Sequence, residues 1–346
     1  MNKEQKKQSV RKLWEMCFDD PKEFVDLFFD EIYGDEQNVS IEKDGEIICS
    51  AQCIPDRMHF SKYYMSIGYI YGVCTHPDHR GKGLATKLLE TANSKLRYEG
   101  RYLSIVVPES EHLFDYYASR GFATCFYQNL IKEPKGQSQY CYDGLNVAIN
   151  LISSDGLFNF YESLQQQKTC SLIHIKDYFD IVIKDFKQSG GKICGGLAPD
   201  TEILAIAFLE EDKAIKQATI KECLGKQNTD TALYRLLKEK YEKEDWSIVW
   251  KRETDKSDKE AIPYGMARII NTEKMLTIWA EEHPEFMKVI SIDDDAISPE
   301  NNGTFLLAGG LCSRCNVRSN VERYRIVDLT HKILTEHSAS IALMFD

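Results

Sequence analysis

Residues 77 to 86 read Pro77, Asp78, His79, Arg80, Gly81, Lys82, Gly83, Leu84, Ala85 and Thr86, a turn and two glycines leading into a helix-forming run. A helix start presents unpaired N–H groups and about half a positive charge. Glycines in front of it let a ligand come close to the backbone, so the chemistry on offer is capture of a phosphate or pyrophosphate. Backbone donors do the binding, and the glycines matter more than the Lys82 charge. Two phosphate-binding patterns fail on spacing. A Walker A loop needs GxxxxGK followed by Ser or Thr, whereas Lys82 is followed by Gly83; a dinucleotide fingerprint needs a third glycine where Thr86 stands.

Other reactive residue types read more plainly. His76 and His79 flank Pro77 on an exposed turn, Cys74 sits singly on an apolar strand where packing is the ordinary role, and Asp293 to Gly303 lacks the calcium-loop spacing. The chain holds 11 cysteines, an odd number scattered singly, which fits reduced thiols. Cys312 and Cys315 have metal-ligand spacing without a second pair or nearby histidines, so no metal site is expected.

The elements around the glycine stretch form an α/β layer arrangement. Two helices over residues 9–33 precede a hairpin at Asp44-Gly45, a central strand ending at Pro77, a helix closed by Gly100, the strand "YLSIVVP" and the helix "EHLFDYYASRGF" capped at Gly121. After a polar connector near residue 135 the same order returns more faintly, with "KECLGKQNTDTALYRLL" in the place of "CTHPDHRGKGLATKLL". It keeps the helix but has neither the glycine pair nor the arginine, so a fold without the ligand is expected there. A small α+β unit follows from "YGMARII" to the end. The expected domains are 1–134, 135–265 and 266–346.

The R-G-x-G-x-A pattern at Arg80 to Ala85, with "YYASRGF" downstream, closely resembles motif A and the Y-x-x-x-G-F segment of the GCN5-related N-acetyltransferase (GNAT) family. One competent unit, one degenerate unit and a small tail are similar to its Eis (enhanced intracellular survival) type, whose tail resembles a sterol carrier protein. The resemblance implies an N-acetyltransferase with acetyl-CoA as co-substrate and direct attack by a primary amine. In that reading Val73, Cys74 and Thr75 run along the pantetheine arm, while Arg80, Gly81, Lys82, Gly83, Leu84, Ala85 and Thr86 hold the pyrophosphate. Tyr117 matches the family's acid, and the chain's terminal carboxylate at Asp346 is the implied base, since the central strand carries no acid. A lysine-bearing peptide or a polyamine or aminoglycoside-like molecule would be the acceptor, and the type commonly assembles as a hexamer. The alternative is an acyl-CoA-binding or sensing protein without turnover.

Composition sets the outer bounds. With 43% hydrophobic and 28% charged residues the chain is globular rather than disordered, and a net charge of −11 disfavours nonspecific nucleic-acid binding while suiting a cationic substrate. No apolar run has bilayer-spanning length and the start lacks a signal-peptide core, so a cytoplasmic protein with no membrane partner is expected.

Overall fold

A computed structural model describes residues 1–132 and 145–344. Contacts group them into two units, residues 1–125 with 264–339, and residues 126–263 with the chain from Ser340 on. The expected boundary at 134 lies outside the described residues. Residues 264–339, expected within a separate tail, share the unit of the N-terminal segment.

The first unit begins with α1 (Lys3–Cys17) and α2 (Lys22–Leu27), then β1 (Asn38–Lys43), β2 (Glu46–Phe60), β3 (Tyr63–Thr75), α3 (Leu84–Tyr98), β4 (Leu103–Val106) and α4 (Glu111–Ala118). Asp44 and Gly45, at φ 52° and 83°, make the tight turn that joins β1 to β2. The meander β1-β2-β3 is antiparallel, and β4 returns parallel to β3 after the α3 crossover. Leucines and an alanine spaced along one face of α3, Leu88, Leu89, Ala92 and Leu96, pack on Cys49, Ala51, Cys53, Ile70 and Val106. Trp14 of α1 meets Phe28 and Tyr71 with ring centroids 4.6 Å and 5.6 Å apart.

The second unit starts within β5 (Ala123–Ile131) and continues through β6 (Asn146–Ile149), α5 (Ser154–Gln165), β7 (Cys170–Ile173), α6 (Lys176–Gln188), β8 (Lys192–Leu197), β9 (Ile203–Asp212), β10 (Gln217–Gly225), α7 (Thr229–Lys243) and β11 (Ser247–Thr254). Strands β8, β9 and β10 form an antiparallel meander and β11 lies parallel to β10, the pairing pattern of β1 to β4 again. Leu233, Tyr234, Leu237 and Tyr241 of α7 bury against this sheet as α3 does in the first unit.

The chain then re-enters the first unit. β12 (Ile262–Ile269) pairs antiparallel with β4, so "YGMARI" completes the first sheet rather than opening a new one. Beyond α8 (Thr272–Glu282) come β13 (Met287–Ile292), β14 (Gly303–Ala308), β15 (Leu311–Arg314), β16 (Val321–Tyr324) and α9 (Ile326–Glu336), a four-stranded sheet with two helices. Among the described residues no helix is long and apolar enough to cross a membrane.

Candidate active site

The site begins with a parting of strands. β3 and β4 are paired only from Ile67–Leu103 to Tyr69–Ile105, after which β3 runs on to Thr75. Against β2 the register passes from Gln52–Tyr71 to Ser50–Cys74, so two residues of β3 face Ala51. Such a bulge bends and twists its strand, and the end of β3 turns away from β4. The gap is a cavity of about 670 Å³, walled by residues 73–75, 79–81 and 83–86, the end of α1 and one face of α4.

At one end stands the glycine loop. His76 accepts from the Asp78 N–H through Nδ1 (3.2 Å), and Arg80 Nε donates to the Thr75 carbonyl (3.1 Å), which holds the turn against the strand. Gly81 and Gly83 have φ of 74° and 75°, a region costly for other residues, and a Cβ at either would meet no atom within 4 Å. That space lies in front of α3. The first N–H bonded within the helix is that of Lys87, to Gly83 O (3.1 Å), so the donors of Leu84, Ala85 and Thr86 have no intrahelical acceptor. An anion fits here.

The opposite wall is α4. Arg120 donates to Thr86 Oγ1 through Nε (2.9 Å) and Nη2 (2.7 Å) and to Tyr116 O (2.7 Å), and its guanidinium lies 3.6 Å from the Tyr116 ring centre. Tyr117 is buried against Phe122 and faces the cavity. Burial pushes its phenol well above the ordinary tyrosine value, with Tyr116 adding to the shift and Arg120 opposing it. The end of α4 is held from β12. Arg268, wholly buried and paired with Asp295, donates to Arg120 O (3.0 Å). Gly121 has φ 82°, and a Cβ there would come within 1.8 Å of the Arg268 guanidinium, so "SRGF" requires its glycine.

Thiols gather on the α1 side. Cys17 Sγ donates to Thr75 O (3.4 Å) and Cys49 Sγ lies 3.1 Å from Thr75 Oγ1, while Cys74 Sγ donates to Ser50 O (3.6 Å). The hydrogen bond with Cys74, aided by the bond and charge of Arg80 and by His76, lowers the Cys17 thiol to about 6 against the cost of its burial. The negative end of α1 opposes this by about 0.3–1 kcal/mol, less than the roughly 1.5–3 kcal/mol of a hydrogen bond to a charged group. Cys74 is pushed up by Cys17 and by burial.

Of the residues singled out in the sequence, Val73, Cys74, Thr75, Arg80, Gly81, Gly83, Leu84, Ala85, Thr86 and Tyr117 border this one cavity. Lys82 does not border it; its ammonium turns back to Asp78 O (2.7 Å). Asp346 lies outside the described residues. The cavity also takes in Cys17, Phe18, Glu109, His112, Tyr116 and Arg120, which sequence reasoning passed over. Only Tyr116 and Arg120 carried a signal, standing four apart within "YYASRGF" and so on one helical face.

Comparison with known proteins agrees with this geometry. The family model described as an Acetyltransferase (GNAT) domain matches residues 2–125. No curated protein matches the sequence. Among solved structures, a conserved protein of unknown function and probable N-acyltransferase from Enterococcus faecalis is 16% identical with a TM-score of 0.74, covering 96% of this chain and 87% of its own. A GCN5-related N-acetyltransferase from Anabaena variabilis gives 14% and 0.74, with 95% and 87% covered. Eis1 from Mycobacterium abscessus gives 13% and 0.72, with 96% and 88% covered. These likenesses establish a shared fold along nearly the whole chain.

Proposed function

Since residues 2–125 match the GNAT acetyltransferase domain, we propose that this chain moves an acetyl group from acetyl-CoA to a primary amine by direct attack. The observation that carries this reading is the single cavity joining the α3 start and glycine loop to Tyr117. In this reading N–H groups of Leu84, Ala85 and Thr86 bind the pyrophosphate, with Arg80 and Arg120 adding positive charge. The parted end of β3 takes the pantetheine arm and polarises the thioester carbonyl through a backbone N–H. Acetyl-CoA supplies an activated acyl group, so no covalent enzyme intermediate is needed.

Tyr117 protonates the departing thiolate. Its raised pKa keeps the phenol protonated at neutral pH, as an acid requires and a base does not. For the proton of the attacking amine the cavity wall offers Glu109 and His112, beside the terminal carboxylate of Asp346 that the family resemblance suggests. The acceptor is a polyamine or aminoglycoside-like molecule or a lysine side chain, in keeping with the net charge of −11.

The experiment is free-thiol release from acetyl-CoA over a panel of polyamines, aminoglycosides and lysine peptides. Turnover with one class, abolished by Gly83→Glu and lowered about 10²-fold or more by Tyr117→Phe, supports the reading and names the acceptor. β3 carries no carboxylate, which favours a second reading, coenzyme binding without turnover. Saturable acetyl-CoA binding with no thiol release from any amine would select it.

A further inference from the structure

We propose that Cys17 is a modification site within the cavity, taking up one half of a small disulfide by thiol–disulfide exchange and thereby closing the cavity to coenzyme. The acetyl transfer described above uses neither Cys17 nor its thiol neighbours. Yet the fold brings Cys17, Cys49 and Cys74 around one residue, Thr75, at distances of 3.1 Å to 3.4 Å for the two that touch it. Only one of the three is accessible. Cys49 and Cys74 are buried, whereas Cys17 is half-buried and borders the cavity.

The surroundings of Cys17 suit a thiolate. Arg80 donates to the same Thr75 carbonyl that Cys17 Sγ touches, which fixes a positive charge beside the thiol. Reactive cysteines are found in such electropositive, partly exposed places. In the exchange the Cys17 thiolate attacks one sulfur of a disulfide RS–SR. The S–S bond breaks, a Cys17–S–S–R bond forms, and RS⁻ leaves with the electron pair and takes a proton from water. The R group then stands beside Thr75 and Arg80, on ground the coenzyme needs. That last point rests on the coenzyme reading of the cavity; the reactivity of Cys17 does not.

The test is reaction of the full chain with dithiodipyridine at pH 6, following thione release and locating the adduct by mass spectrometry. A thiolate fraction greater by about two orders of magnitude, offset by lower intrinsic nucleophilicity, predicts a thiol reacting roughly tenfold faster than an ordinary one. The adduct should sit on Cys17, be removed by dithiothreitol, be absent in Cys17→Ser and persist in the double variant Cys312→Ser, Cys315→Ser. Desulfo-coenzyme A should slow it. Fast labelling at Cys312 or Cys315 instead, or Cys17 reacting at the ordinary rate, overturns the site. If desulfo-coenzyme A binds by calorimetry without protecting Cys17, closure of the cavity is overturned and the site stands. If it does not bind at all, the coenzyme reading fails, and closure fails with it.

Discussion

Each of the two units contains a central strand that leaves its parallel neighbour just ahead of a long helix. In the first, β3 gains a residue opposite Ala51 and is unpaired from β4 beyond Tyr69; in the second, β10 gains Lys221 and is unpaired from β11 beyond Ile220. Both then enter the helix through a left-handed residue, Gly83 at φ 75° and Asn228 at φ 67°. The contents of the gap differ. In front of α3 a Cβ on Gly81 or Gly83 would meet nothing, whereas a Cβ on Gly225 would come within 2.2 Å of the Asp230 nitrogen, so the loop is folded down onto the start of α7. Past the parting, β10 carries buried Glu222 and β11 half-buried Glu253, with Lys168 2.5 Å from Glu253. The strand path and the helix entry survive because α7 still buries its apolar face on the sheet. A binding site needs something further, which is room kept empty, and nothing in core packing preserves that.

Substitutions can break this contrast. The largest effect is expected at Arg268, because the first unit keeps its cavity wall upright through that residue; Arg268→Met leaves the buried Asp295 carboxylate without its countercharge, with only the bonds from Ser298 N and Asn301 Nδ2 remaining, and should cost about 3–5 kcal/mol in urea unfolding. Next is Glu222, raised to about 8 chiefly by burial, with Glu253 adding and Lys168 opposing. The folded chain keeps a proton that the unfolded chain releases above about 4.5, so stability falls as pH rises through the window up to about 8. Glu222→Gln should flatten that slope and leave the variant more stable than wild type at pH 8, by on the order of 2 kcal/mol. A variant with an unchanged slope would show Glu222 ionised throughout.

The third change makes the first loop like the second. Gly83→Asn keeps a residue that tolerates the left-handed region but places an amide where the anion must come, and should weaken acetyl-CoA binding by about tenfold, or about 1.4 kcal/mol, in calorimetry. The smallest effect is the reverse exchange. Asn228→Gly should alter stability by no more than about 0.5 kcal/mol and confer no coenzyme binding, since Gly225 still closes the helix start.

Much of this could be read from the chain because it is local. The glycine loop, the α3 face and the cap at Gly121 depend on residues within one or two turns of each other, and their spacing reports them directly. Cys17 and Phe18 could not be found that way, since they reach the cavity only because Trp14 packs α1 onto Phe28 and Tyr71. Arg268 was equally hidden; its partner Arg120 stands in another segment and contributes only a backbone carbonyl, which no residue type announces. In the second unit the missing glycines were legible, but the left-handed backbone persisting at Gln227 and Asn228 was not.

The pairing of β4 with β12 also sets a timetable. A ribosome delivers residues 1–125 long before Tyr264, and at about 5–20 residues per second the intervening stretch takes on the order of ten seconds. Throughout that interval β4 is an unpaired edge and the α4 terminus has no Arg268 to hold it. An exposed edge of this kind invites pairing with another chain, so a nascent catalytic unit must wait, or be sheltered, until the last quarter of its own sequence arrives.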